Sequence, residues 1–164
     1  MSTSGPPLDP RYAIVEAAAL ERLDDVRGLF REYAEWVGVD LAFQGFEDEL
    51  TGLPGKYARP DGRLLLLLDG ARAIGCVALR RFDSATGEVK RLYVRPPARG
   101  RGLGKALARE VVDAAREIGY RRLLLDTLAP MVEARTLYAS FGFHEVPAYY
   151  HNPLPGAVYM ELKL

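Results

Sequence analysis

Gly100, Gly102 and Gly104 alternate with Arg99, Arg101 and Leu103 and run straight into Lys105. Those residue types at that spacing suit an anion. Glycine admits positive φ and lets the backbone approach a ligand closely. Residues 103–118 read as an amphipathic helix, whose first N–H groups lack helical partners, and the macrodipole adds about half a positive charge there. A phosphate fits such an end. Arg99, Arg101 and Lys105 can add charge-assisted bonds to it.

Two nucleotide loops do not fit. A Walker loop needs G-x-x-x-x-G-K-[ST]; counting back from Gly104-Lys105 puts Arg99 where the first glycine belongs, and Ala106 replaces the Mg²⁺-binding hydroxyl. A dinucleotide loop needs G-x-G-x-x-G, and here the last glycine comes too early. That loop also belongs after the first strand of a doubly wound sheet.

The loop must be held by its neighbours. Residues 88–94 read as the strand that reaches it, ended by Pro96-Pro97, because proline cannot donate to a ladder. The helix after it carries Leu103, Leu107, Val111, Ala114 and Ile118 on one face and Lys105, Arg109, Asp113 and Arg116 on the other, with Gly119 as its stop. Upstream, residues 12–17 read as a strand. Apolar positions 23, 26, 29, 30, 33, 34 and 37 predict a helix ended by Gly38, and residues 46–53 a short second helix. Strands 63–68 and 72–80 flank Asp69-Gly70, a hairpin signal. Downstream, 122–127 reads as a buried strand, 132–141 as a helix closed by Gly142, and 143–146 and 158–164 as strands around a loop rich in Pro and Tyr. The order β-α-α-β-β-β-α-β-α-β-β predicts a mixed sheet with helices on both faces. The unit from 88 to 127 is a βαβ crossover, so its two strands are parallel.

A chain of 164 residues is most simply one domain and buries roughly 70% of its unfolded surface. Residues 1–10 read as a disordered tail and 11–164 as the folded unit. Twenty-two basic and twenty-two acidic residues cancel, which argues against a nucleic-acid partner. The lone Cys76 excludes an internal disulfide and fits a reducing compartment. It lies in the apolar run 74–79 and is expected as a buried thiol, not a nucleophile. His144 and His151 make no metal-ligand spacing with it. The first residues lack the regions of a signal peptide, and the leucine run 64–68 is too short to span a bilayer. No membrane partner and a cytoplasmic location are therefore expected.

The loop also matches a known family. Arg99-x-x-Gly102-x-Gly104 resembles the R/Q-x-x-G-x-G/A loop with which the GNAT superfamily of N-acetyltransferases holds the pyrophosphate of coenzyme A. Residues 90–96 (K-R-L-Y-V-R-P) resemble the strand before that loop in many bacterial members. Residues 134–143 (A-R-T-L-Y-A-S-F-G-F) resemble the later helix that ends L-Y-x-x-x-G-F. The resemblance covers about residues 11–164. It implies the GNAT α/β fold: a central mixed, mostly antiparallel seven-stranded sheet, splayed between strands 4 and 5, with helices on both faces. It implies acetyl-CoA as cosubstrate and a primary amine of a small molecule or peptide as acceptor, attacked directly in a ternary complex. Backbone of Leu92, Tyr93 and Val94 would receive the pantetheine arm like an added strand. Backbone N–H groups of Gly100, Arg101, Gly102, Leu103, Gly104 and Lys105 would hold the pyrophosphate, helped by the Arg99, Arg101 and Lys105 side chains.

Acetyl transfer poses two proton problems. An amine of pKa about 10.4 is neutral in only about 1 part in 10³ at pH 7, a penalty of roughly 4–5 kcal/mol that a positioned base offsets. The resemblance gives that role to Glu88, facing the acceptor through water, with residues 88, 90, 92 and 94 sharing a face by the strand period. Asp126 is a second candidate and His151 a third. The departing thiolate needs a proton or a hydrogen bond. The resemblance gives this to Tyr138, a phenol with an ordinary pKa of about 10. A backbone N–H near Leu92–Val94 would meet the oxyanion. Many relatives carry Asn seven residues before the tyrosine. Here Met131 stands there, and a thioether cannot replace an amide's donor and acceptor.

The resemblance places the acceptor cleft between residues 36–57 and 149–152. Glu47, Asp48 and Glu49 could attract a cationic amine, but an ordinary exposed helix face is the simpler reading; Tyr149 and Tyr150 could wall the cleft or simply pack. The acceptor itself is not legible, nor is the oligomeric state, for which a homodimer is one candidate. A rival reading is a non-catalytic acyl-CoA sensor or interaction domain; retention of both Glu88 and Tyr138 speaks against it.

Overall fold

The structure, a computed structural model, describes residues 5–18, 21–38, 40–42 and 45–164. Residues 1–4 of the expected tail, and 39, 43 and 44 of the expected acceptor wall, lie outside the described residues. Seven strands form one sheet in the order β1-β2-β3-β4-β5-β7-β6. They are β1 (Tyr12–Glu16), β2 (Arg63–Asp69), β3 (Arg72–Asp83), β4 (Thr86–Val94), β5 (Arg122–Leu128), β6 (His144–Val146) and β7 (Ala157–Lys163). Among the described residues, four α-helices flank it: α1 (Leu23–Val37), α2 (Phe46–Thr51), α3 (Leu103–Ile118) and α4 (Val132–Ser140). Only β4 and β5 pair in parallel among the described residues; the other pairs are antiparallel. The expected element order and sheet class are the observed ones. Among the described residues, no helix is long and apolar enough to cross a membrane.

The leucine run explains the layering. Central strands alternate side chains between two covered faces. Leu65 and Leu67 enter the core beneath α3, and Leu64, Leu66 and Leu68 enter the core beneath α1 and α2. Helix α3 buries Leu103, Leu107, Ala108, Val111, Val112 and Ala115. Ala114 and Ile118, expected on that face, are only partly buried and pack against the core. Gly38 and Gly119 end α1 and α3 in the left-handed region, as expected.

The hairpin between β3 and β4 is tighter than expected. Asp83 pairs directly with Thr86, and Asp83 Oδ1 accepts the Ala85 N–H at 2.9 Å, so both strands extend to the turn.

Two irregularities of β4 shape the molecule. The strand pairs with β5 only at Thr86–Glu88, against Arg122–Leu124. Past Glu88 the two strands part. The second is a bulge. Lys90 pairs with Ala78 and Tyr93 with Cys76, so Arg91 and Leu92 together oppose Val77. Arg91 takes φ 62°, and its carbonyl accepts a hydrogen bond from Cys76 Sγ at 3.3 Å.

The bulge corrects the expectation that residues 88, 90, 92 and 94 share a face. Val89, Leu92 and Val94 pack with the α3 core, while Tyr93 packs with the α1 core. Glu88 and Lys90, which alternate with Val89, therefore lie on the α1 side. One inserted residue inverts the parity of everything beyond it.

Candidate active site

The parting of β4 and β5 opens a cleft of about 960 Å³. Its walls include Leu92, Tyr93 and Val94 of β4, Asp126, Thr127 and Leu128 of β5, and residues of α1, α3 and α4. Past Glu88, the edge of β4 that faces β5 has no strand partner among the described residues. An extended chain with amide groups can pair with such an edge.

The glycine loop closes one end. Gly100 and Gly102 hold φ of 81° and 74°, the left-handed conformation that favours glycine. Among the described residues, no backbone partner is present for the amides of residues 100–105; the first bond at the head of α3 is Ala106 N–H to the Gly102 carbonyl. Gly104 sits inside the first turn, where a Cβ would meet Leu137 Cδ2 at 3.7 Å and Val94 Cγ2 at 4.0 Å. Exposed amides at a helix head beside an open strand edge fit a pyrophosphate with a pantetheine arm.

The basic side chains divide. Arg99 lines the cleft: its Nε donates to the Val94 carbonyl at 2.8 Å, and its guanidinium stacks on Trp36 at 4.6 Å. Arg101 instead donates to the Tyr12 hydroxyl at 2.9 Å. Lys105 is exposed, and neither it nor Arg101 lines the cleft. Arg95, which the sequence did not single out, pins α1 to the end of β4 by a 2.7 Å bond to Glu32.

Tyr138 lines the cleft from α4 and packs on Phe143, ring centroids 5.7 Å apart. Burial raises its pKa above the ordinary phenol value. The hydroxyl therefore keeps its proton at physiological pH and can donate it as a hydrogen bond. Met131 also lines the cleft, and its sulfur takes a 3.7 Å contact from Thr127 Oγ1.

The candidate bases differ more than their sequence positions suggest. Glu88 is 2% exposed and does not line the cleft. Its Oε1 accepts from Arg80 Nε at 2.7 Å and its Oε2 from the Tyr149 hydroxyl at 2.6 Å. Asp126 does line the cleft. Its Oδ1 accepts from Lys90 Nζ at 3.2 Å, and its Oδ2 from the Tyr150 hydroxyl at 2.6 Å and Asn152 Nδ2 at 3.4 Å. His151 is exposed and lies outside the cleft wall. Burial, and then the Glu88 charge, raises the pKa of Tyr149; burial, and then the bond to Asp126, raises that of Tyr150.

Tyr149 and Tyr150 thus clamp the last loop onto both carboxylates. The acidic stretch is not part of the cleft wall. Glu49 is taken by Arg91, whose Nε lies 3.0 Å from Glu49 Oε2, and accepts the Tyr57 hydroxyl at 2.8 Å. Glu47 reaches Arg31 at 3.4 Å. None of Glu47, Asp48 and Glu49 lines the cleft.

Sequence reasoning missed Lys90. A lysine two residues from Glu88 in a buried strand was the available signal. The bulge at Arg91 left no such signal.

The sequence model of the Acetyltransferase (GNAT) family matches residues 23–143. The chain belongs to this family: it is an acyltransferase, and the family's cosubstrate is acetyl-CoA. It is 44% identical over 160 residues to an uncharacterised N-acetyltransferase of Schizosaccharomyces pombe, covering 96% of this chain and 98% of that one. It is 35% identical over 157 residues to the IAA acetyltransferase of Azospirillum brasilense, covering 94% and 99%. In fold it resembles a GNAT-family acetyltransferase of Staphylococcus aureus, with a TM-score of 0.77 at 18% identity over 93% of this chain and 98% of that one.

Proposed function

We propose that residues 11–164 act as a single domain that transfers the acetyl group of acetyl-CoA to a primary amine of a small molecule or peptide, by direct attack in a ternary complex. One observation carries the reading. The amides of residues 100–105, which have no backbone partner among the described residues, stand at one end of a cleft that Tyr138 and Asp126 both line. Acetyl-CoA supplies an activated acyl group as a thioester. The 100–105 amides and Arg99 hold its phosphate end, and the open edge of Leu92–Val94 holds its arm.

In the net step a C–N bond forms and a C–S bond breaks. One amine proton leaves to a base, and the sulfur leaves as thiolate or thiol. Asp126 is the base that the geometry favours, because it lines the cleft, whereas Glu88 does not and both its oxygens are taken by Arg80 and Tyr149. Glu88 with Arg80 then serves to hold Tyr149. Tyr138, kept protonated by burial, donates to the sulfur.

Thiol release from acetyl-CoA across an amine panel, beside calorimetric titration of acetyl-CoA, tests the reading. Tight binding with no thiol release for any amine would replace it with the sensor reading. In an active enzyme, Asp126→Asn should move the rate profile toward higher pH, where more of an amine of pKa about 10.4 is already neutral. A shift carried by Glu88→Gln instead would return the base role to Glu88.

A further inference from the structure

Three ion pairs stand near the acceptor end. Arg80 pairs with Glu88 at 2.7 Å, Lys90 with Asp126 at 3.2 Å and Arg91 with Glu49 at 3.0 Å. Of these, Lys90, Arg91 and Asp126 line the cleft, while Arg80, Glu88 and Glu49 do not. The wall that meets the acceptor therefore presents two cations and one carboxylate. The cleft's other carboxylate, Glu133, sits in the first turn of α4 and is exposed. Among the described cleft-lining residues, Asp126 and Glu133 are the carboxylates, and Asp126 is already paired with Lys90.

The two cations are not equivalent. Arg91 is held by Glu49 and lies over the rings of Tyr33 and Phe46, 5.7 and 5.4 Å from their centroids. Its guanidinium is committed to the fold. Lys90 has a 5% exposed side chain at the cleft wall, and an ammonium with three donors. Its Nζ and Asp126 Oδ1 form a dipole whose complement is an ammonium beside a carboxylate.

We infer that the acceptor is a free α-amino acid, its carboxylate received by Lys90 and its amine presented to Asp126. This rests on the acetyl-transfer reading above. A zwitterion replaces the internal pair with two pairs, so neither buried protein charge is left alone when the ligand enters. The α-ammonium gives one proton to Asp126 before the neutral amine attacks, the second N–H proton leaves with the sulfur as thiol, and Lys90 keeps the carboxylate neutralised throughout. An amine without that carboxylate would compete with Lys90 for Asp126 and bring Lys90 no partner.

The test compares each amino acid with its α-amide and its decarboxylated amine. Binding is measured by calorimetry on the CoA-saturated enzyme, and turnover by thiol release from acetyl-CoA. The best amino acid should show a Kd and KM roughly tenfold or more below those of its amide. Lys90→Met should erase that gap by raising KM for the acid more than it lowers kcat. The wild-type comparison stands even if this variant folds poorly. Equal or better use of the amide or decarboxylated amine overturns the inference and leaves acetyl transfer intact. A binding preference for the acid without thiol release supports the Lys90 assignment and sinks the transfer reading. If no amino acid binds or is acetylated, the inference falls.

Discussion

Tyr149 donates a 2.6 Å hydrogen bond to Glu88 Oε2, tying the loop before β7 to the one carboxylate of β4. Glu88 is almost wholly buried, and Arg80 alone would leave its second oxygen without a protein partner among the described residues. Removing the hydroxyl strands that oxygen, at a cost of about 1–3 kcal/mol.

Tyr149→Phe should therefore lower unfolding stability by about that amount in urea, with the m-value unchanged. An unaltered midpoint would mean that the hydroxyl bond contributes nothing to holding the loop.

Tyr138→Phe should lower kcat by roughly 10²-fold, the usual scale for a lost proton donor. Acetyl-CoA affinity should barely change, because the loop at 100–105 carries the phosphate. Stopped-turnover thiol release and calorimetry separate the two effects. Wild-type kcat in the variant removes Tyr138 from the donor role.

Gly102→Ala and Gly104→Ala should part company. Gly102 holds φ 74° with open space around it, so the cost is backbone strain alone, about 1–2 kcal/mol. Gly104 lies inside α3, and a Cβ there meets only ordinary contacts, so alanine gains up to about 1 kcal/mol of helix propensity. Chemical denaturation should rank the variants in that order. The reverse order would show that the loop is not locked in the left-handed region.

Alkaline titration should unfold the protein cooperatively. Burial raises the pKa of Tyr57, Tyr138, Tyr149 and Tyr150 above the ordinary phenol value. In the unfolded chain they ionise near about 10. The folded state therefore holds more protons above that pH, so this stability is fully present below it and declines as pH rises further. Phenolate absorbance should jump together with loss of circular dichroism. Gradual ionisation with the fold intact would contradict the burial of these hydroxyls.

Much of this molecule is readable from its residues because the readable parts are local. Glycines at 100, 102 and 104 specify a backbone with exposed amides wherever they stand, and a 3.6-residue period specifies α3 before it meets a sheet. Gly38 and Gly119 stop their helices for the same reason. The leucine run at 64–68 announces a strand covered on both faces. Lys90 and Asp126 lie far apart in the chain, and no pattern in either segment says that they meet.

What the tertiary structure alone decided is which charged groups reach the cleft. The residue inserted at Arg91 inverts the strand parity, and only the pairing with β3 reveals it. That inversion leaves Glu88 and Lys90 on the α1 side, while Leu92 and Val94 join the α3 core. The parting of β4 and β5 then exposes Lys90 and Asp126 at the cleft, while Tyr149 and Arg80 cover Glu88. Pairing and burial are relations between distant segments, so they are settled only when the sheet closes.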